Sequence, residues 1–99
     1  MQPRRLRFTQ NAEMDLAYLK KDPSKIKALK AALKTLALME TNLRHPSLNT
    51  HEFTGLEGPN GEKVFEAYAQ QKTPGAYRIF WYYGPGANIL SIVAIMPHP

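Results

Sequence analysis

Glu66, Arg78 and His98 are the residues whose types and placing could do chemistry in this chain, with Tyr68 beside them. Arg78 is the lone charge in the run 76–83, Ala-Tyr-Arg-Ile-Phe-Trp-Tyr-Tyr, whose aromatic and β-branched content marks a strand. A guanidinium in such a run either snorkels to water or binds a ligand. His98 follows the apolar run 89–96, so a titratable ring sits where it can reach past the edge of a sheet. Over 64–71 the residues alternate, with Val64, Glu66, Tyr68 and Gln70 on one face and Phe65, Ala67 and Ala69 on the other. A forked cationic donor, a carboxylate and an imidazole together suit phosphodiester cleavage by a ribose 2′-hydroxyl, with no metal or other cofactor required. Two plainer readings stand beside this one. Glu66 and Arg78 can be a cross-strand ion pair of small worth at a surface, and His98, between two prolines, can belong to a loose tail.

Charge supports a polyanionic partner. Thirteen Lys and Arg against eight Asp and Glu leave a net charge of +5, and nucleic acid is the commonest partner of such a surface. The chain has no cysteine, which excludes disulfide scaffolds, thiolate nucleophiles and cysteine metal sites. Ninety-nine residues fit one domain, 1–99, with a modest core, so the chemistry is expected on an open surface. The basic start lacks a long apolar run behind it and no stretch approaches the ~20 apolar residues of a membrane span, so a cytoplasmic protein with no membrane partner is expected.

The elements that must position these residues follow from patterning. Residues 4–9 alternate as a half-buried strand, with Leu6 and Phe8 inward and Arg5 and Arg7 outward. Asn11 offers the cap of a first helix running to Lys21, and Asp22-Pro23 stops it and starts a second. That second helix, about 24–42, has Ile26, Leu29, Leu33, Leu36 and Leu43 as its apolar stripe. Lys27, Lys30 and Lys34 line the opposite side, as a plain solvated face or a track for phosphates. Residues 43–63 read as a long loop holding His51, with one short extended piece at 52–56. Pro74-Gly75 is a type II turn signal joining the third extended segment to the Arg78 strand. The segment 84–88 then turns into the last strand, which Pro97 is expected to end. The fold class is α+β, β-α-α-β-β-β, with two helices on one face of a small, mainly antiparallel sheet and the other face open. Arg78 should be displayed on that open face, with Tyr82 beside it and Arg5 or Arg7 adding charge.

This order, and the segment Gly75-Ala76-Tyr77-Arg78-Ile79, resemble the RelE/ParE superfamily, the toxins of bacterial type II toxin–antitoxin modules. The resemblance implies cleavage of messenger RNA, usually on the ribosome, with a cognate antitoxin as protein partner. It places Arg78 at the family's charge-stabilising arginine, and Glu66, Tyr68 and His98 at its other catalytic positions, with Glu66 and His98 as base and acid. Arg5, Arg7, Lys27, Lys30, Lys34, His51 and Tyr82 form the expected RNA-contact set. Many RelE-like ribonucleases carry lysines where this chain has Glu66 and Tyr68. ParE-like members share the fold yet poison DNA gyrase, and an inactive binding module is a third possibility.

Overall fold

Alternation over the first strand and the helix stop at Asp22-Pro23 shape the N-terminal half of the computed structural model, which describes residues 3–98. Strand β1 (Arg5–Phe8) leads into helix α1 (Gln10–Lys21), a 3₁₀ turn (Pro23–Lys25) and helix α2 (Ile26–Thr41). A second 3₁₀ turn (Pro46–Leu48) precedes β2 (His51–Glu57), β3 (Lys63–Tyr68), β4 (Tyr77–Tyr83) and β5 (Ile89–Pro97). The five strands form one sheet in the order β1-β5-β4-β3-β2, antiparallel except for β1 against β5. The class is α+β as expected, but the meander has four strands. The loop expected over 43–63 contains a full strand, β2, whose polar sequence suits a sheet edge.

The cap of α1 is Thr9, whose side chain accepts from Ala12 N–H, and Asn11 lies inside the first turn. There Asn11 Nδ2 donates to the Val93 carbonyl (2.9 Å), and Asp15 Oδ2 accepts from Ile95 N–H (2.9 Å). These bonds satisfy β5 beyond the reach of the short β1, past the register shift at Val93. Two hydrogen bonds from Ser24, side chain then backbone, hold the Asp22 carboxyl below its ordinary range and fix the start of the 3₁₀ turn.

The buried stripe of α2 follows the expected leucine pattern in part: Leu36 and Leu43 are buried and Leu29 packs against the core. Ala28, Ala32, Thr35, Leu36 and Met39 are buried, while Ile26 and Leu33 are exposed. Alanines let the helix approach its neighbours closely, so small side chains define the contact. The main core lies between the helices and the inward residues Ala67, Tyr77, Ile79, Trp81, Leu90, Ile92 and Ile95.

The other face of the sheet is not open along its length. Val64, Phe80, Tyr82 and Ala94 are buried there under Phe53, Leu56, Val93 and Met96. β2 curls over this face: the Phe53 ring meets Phe80 edge-on at 5.1 Å, and the β2–β3 register shifts between Glu52 and Glu57. Within that shift stands Gly55, where an added Cβ would lie 2.6 Å from the Phe53 ring. The same small second core buries Tyr82, which removes it from the expected RNA contacts.

Candidate functional site

β3 and β4 pair so that Tyr68 faces Arg78 and Glu66 faces Phe80, which puts Glu66 and Arg78 on a diagonal of one face. The pairing of β2 sets His51 directly opposite Glu66. β5 does not stop at Met96: Pro97 pairs with Tyr77, and His98 N–H donates to the Ala76 carbonyl (3.2 Å). A proline is tolerated at that final position because the ladder continues through the next residue. His98 is therefore held by backbone and is not a loose tail.

Three charged or titratable side chains converge on Glu66. His98 Nδ1 donates to Glu66 Oε2 at 2.5 Å, His51 Nε2 stands 2.6 Å from Oε1, and Arg78 Nε lies 4.0 Å from Oε2. The His51 contact is close but off the line of a good hydrogen bond, so it counts as an ion-pair approach. The Glu66 side chain is 1% exposed and that of Arg78 12%, against 43% for His51 and 49% for His98. A carboxylate this deep is stable only when compensated, and the surrounding imidazoles and guanidinium supply the compensation.

Arg78 is not displayed as expected. Its Nη1 donates to the Gln70 carbonyl (2.6 Å) and weakly to the Tyr77 carbonyl (3.4 Å), and its guanidinium lies 3.8 Å above the Tyr68 ring. This is a rigid, stacked arginine. Tyr68 meets His51 edge-on at 5.8 Å on its other contact, and Phe53 meets His98 at 5.9 Å. Each imidazole thus has an aromatic buttress and lies against the carboxylate, His98 by a hydrogen bond and His51 by an ion-pair approach.

The ring nitrogens are not equivalent. His98 uses Nδ1 on Glu66, which leaves Nε2 facing outward with its lone pair. His51 points Nδ1 at the Asn49 carbonyl (2.7 Å) and Nε2 at Glu66, so both of its ring nitrogens face oxygen atoms. Asn49 reaches that position through left-handed backbone, φ 48°.

Glu66, Arg78, His98 and Tyr68 are thus brought together, and His51, expected only as an RNA contact, joins them at the centre. The clue to His51 would have been the strand it begins, which its polar sequence hides. The other expected contacts are dispersed. Arg5 and Arg7 are exposed on β1 at the far edge, and Arg7 is engaged with Ser91 Oγ (2.6 Å) and Tyr82 Oη (3.3 Å). Lys27, Lys30 and Lys34 are exposed on α2, across the sheet from Glu66. Among the described residues no group of three His, Cys, Asp or Glu is arranged to hold a metal ion. No helix among them is long and apolar enough to cross a membrane.

No family model and no curated protein matches the chain. Solved structures do. A YoeB/ParE toxin from Agrobacterium tumefaciens superposes with a TM-score of 0.68 at 8% identity, covering 96% of this chain and 99% of that one. The YoeB dimer from Staphylococcus aureus gives 0.64 at 13% identity, with 98% and 99% covered. A chain of the archaeal RelE–RelB complex from Pyrococcus horikoshii OT3 gives 0.62 at 14%, with 96% and 94% covered. With the element order, the parallel β1–β5 pair and the Arg78 strand in place, this likeness over nearly the whole chain shows that the protein has the RelE/ParE toxin fold.

Proposed function

We propose that the protein is the toxin of a toxin–antitoxin pair and that it cleaves messenger RNA, held on the ribosome, by attack of a 2′-hydroxyl on the adjacent phosphodiester. The observation that carries this reading is one buried carboxylate, Glu66, holding two exposed imidazoles beside a stacked arginine. The structural neighbours include toxins, which agrees with it, and the RelE–RelB complex supports a protein partner. Because fold does not fix activity, the chemistry is argued from the site.

Glu66 is walled in by the two rings, so it orients them and does not touch substrate. That moves the base from Glu66 to His98, whose free Nε2 accepts the 2′-hydroxyl proton while Glu66 steadies the imidazolium that forms. The 2′-oxygen bonds to phosphorus, the bond to the 5′-oxygen breaks, and that oxygen takes up a proton from the surrounding water while the His98 imidazolium returns its own to solvent. Arg78, fixed by Tyr68 and two carbonyls, stabilises the added negative charge on the phosphoryl oxygens. The products are a 2′,3′-cyclic phosphate and a 5′-hydroxyl end, and the scheme draws on no metal.

The purified protein is tested on translating ribosomes and on free RNA. The parent should leave 2′,3′-cyclic phosphate ends, and a single 2′-deoxy nucleotide at the cut should abolish cleavage there. His98→Ala should lose ~10²- to 10⁴-fold in rate, measured well below a melting temperature that itself falls because the buried Glu66 carboxylate loses its closest partner. Cutting at a 2′-deoxy position, or full activity in His98→Ala, overturns the mechanism. An early block of DNA synthesis with intact messages after expression favours a gyrase poison instead.

A further inference from the structure

A second basic surface lies on the helix side of the sheet, and the reaction above makes no use of it. The loop after α2 closes over β4 to form a cleft of about 590 Å³ lined by Arg4, Arg44, His45, Asn49, Thr50 and Tyr83. A neighbouring cleft of about 380 Å³ shares Arg4 and Arg44 with it. Among the described residues neither arginine forms an ion pair. Arg44 and Tyr83 are exposed, and the Arg4 guanidinium lies 5.5 Å from the centre of the Tyr83 ring. Unpaired guanidinium groups beside an exposed aromatic face match the demands of single-stranded nucleic acid, which offers phosphates and stackable bases in alternation.

His45 adds a directed donor. Its Nδ1 accepts from Ser47 N–H (3.1 Å), so its ring hydrogen lies on Nε2. Asn49 joins the two regions: it lines the cleft, and its carbonyl holds His51 Nδ1. A strand leaving His51 therefore enters the cleft by passing around the N-terminal tip of β2.

We infer that the Arg4–Arg44–Tyr83 cleft holds nucleotides flanking the cleaved bond, with Tyr83 stacking on a base and the two arginines on phosphates. The inference rests on the RNA reading above and extends it to a second subsite of the same strand.

Binding of 2′-O-methyl oligonucleotides, which lack the nucleophile and are not consumed, tests it. A trinucleotide and an oligomer of about ten nucleotides are compared by fluorescence anisotropy across a salt series. Arg44→Gln and Tyr83→Leu should each weaken the long oligomer about 10-fold and leave the trinucleotide within about twofold. Arg44→Gln should also flatten the salt dependence for the long oligomer by about 0.7 in log–log slope, an effect a purely structural residue does not produce. Tyr83→Leu keeps apolar cover on the Phe65 and Trp81 rings it meets, and thermal melting checks that both variants fold. Equal losses for both lengths, or none for either, overturn the cleft while leaving the catalytic reading standing. A parent protein that binds neither length also overturns the cleft, and the cleavage reading is then decided by the product ends left on translating ribosomes.

Discussion

Arg7 on β1 and Arg78 on β4 rise from the same helix-free face of the sheet, and each reaches a tyrosine, yet their surroundings differ throughout. Arg7 is exposed and spends one nitrogen on two hydroxyls, Ser91 Oγ and Tyr82 Oη, with no carboxylate in its ion-pair range among the described residues. Ser91 in turn donates to the Gly84 carbonyl (2.6 Å), so the arginine helps tie the edge strand to the turn before β5. Arg78 is almost enclosed, stacked on Tyr68, anchored by carbonyls, and aimed at a buried carboxylate. One guanidinium is a clamp between strands. The other is a fixed charge in a low-dielectric setting, where electrostatic stabilisation is strongest.

Glu66 is what makes the two environments unlike, so removing its charge should have the largest effect. Glu66→Gln keeps the shape but leaves Arg78 buried without an opposite charge and sets an NH2 donor where one of the two imidazoles had an acceptor. Cleavage should fall by ~10³-fold or more, and urea unfolding should show a loss of about 3 kcal/mol. A variant that cuts RNA at the parent rate would show that the carboxylate is only a structural counter-charge.

Arg78→Ala comes next. Rate should drop ~10²- to 10³-fold, and stability should fall by about 2 kcal/mol as the bonds to the Gln70 and Tyr77 carbonyls and the Tyr68 stack are lost. Arg78→Lys keeps the charge and loses the flat stacking geometry, so its rate should lie between parent and alanine variant. Arg7→Ala should leave the rate of free-RNA cleavage unchanged while costing about 1 kcal/mol of stability. Equal rate losses from both arginines would erase the distinction between clamp and fixed charge.

Much of this arrangement was legible in the residue pattern. Alternation in 64–71 placed Glu66 and Tyr68 on one face, and the lone charge in 76–83 singled out Arg78. Helix stops at Asp22-Pro23 were equally clear, and Thr73-Pro74-Gly75-Ala76 forms the expected turn, with Ala76 N–H bonded to the Thr73 carbonyl and Gly75 at φ 67°. What stayed hidden depends on tertiary pairing. β2 is an edge strand whose His51, Glu52 and Thr54 obscure its period, so neither His51 at the site nor Phe53 over the second core could be placed from spacing. The burial of Tyr82 follows from that same curling strand, and that of Arg78 from the Tyr68 ring and the carbonyls it packs on. In α2 the expected Leu29, Leu36 and Leu43 do face the core, but Ile26 and Leu33 do not, and Ala28 and Ala32 complete the buried stripe where the helix backbone approaches its neighbours closely.

The smallest effect is the most specific to the clamp. A double-mutant cycle of Arg7→Ala and Ser91→Ala should return a coupling of about 0.5–1 kcal/mol, since the 2.6 Å bond joins a charged donor to a hydroxyl but Arg7 is exposed and water replaces much of what is lost. Ser91→Ala alone should cost about 1 kcal/mol, because Ser91 is fully buried and its removal strips the Gly84 carbonyl of its donor. Salt should shrink the coupling only slightly, as the bond needs no opposing charge. The same cycle run on Arg78 and Tyr68, with Tyr68→Leu, should return a larger coupling, because there the cation lies over the ring in a site with little water. If the Arg7 pair couples as strongly as the Arg78 pair, burial is not what separates the two arginines, and the fixed-charge role of Arg78 loses its physical basis.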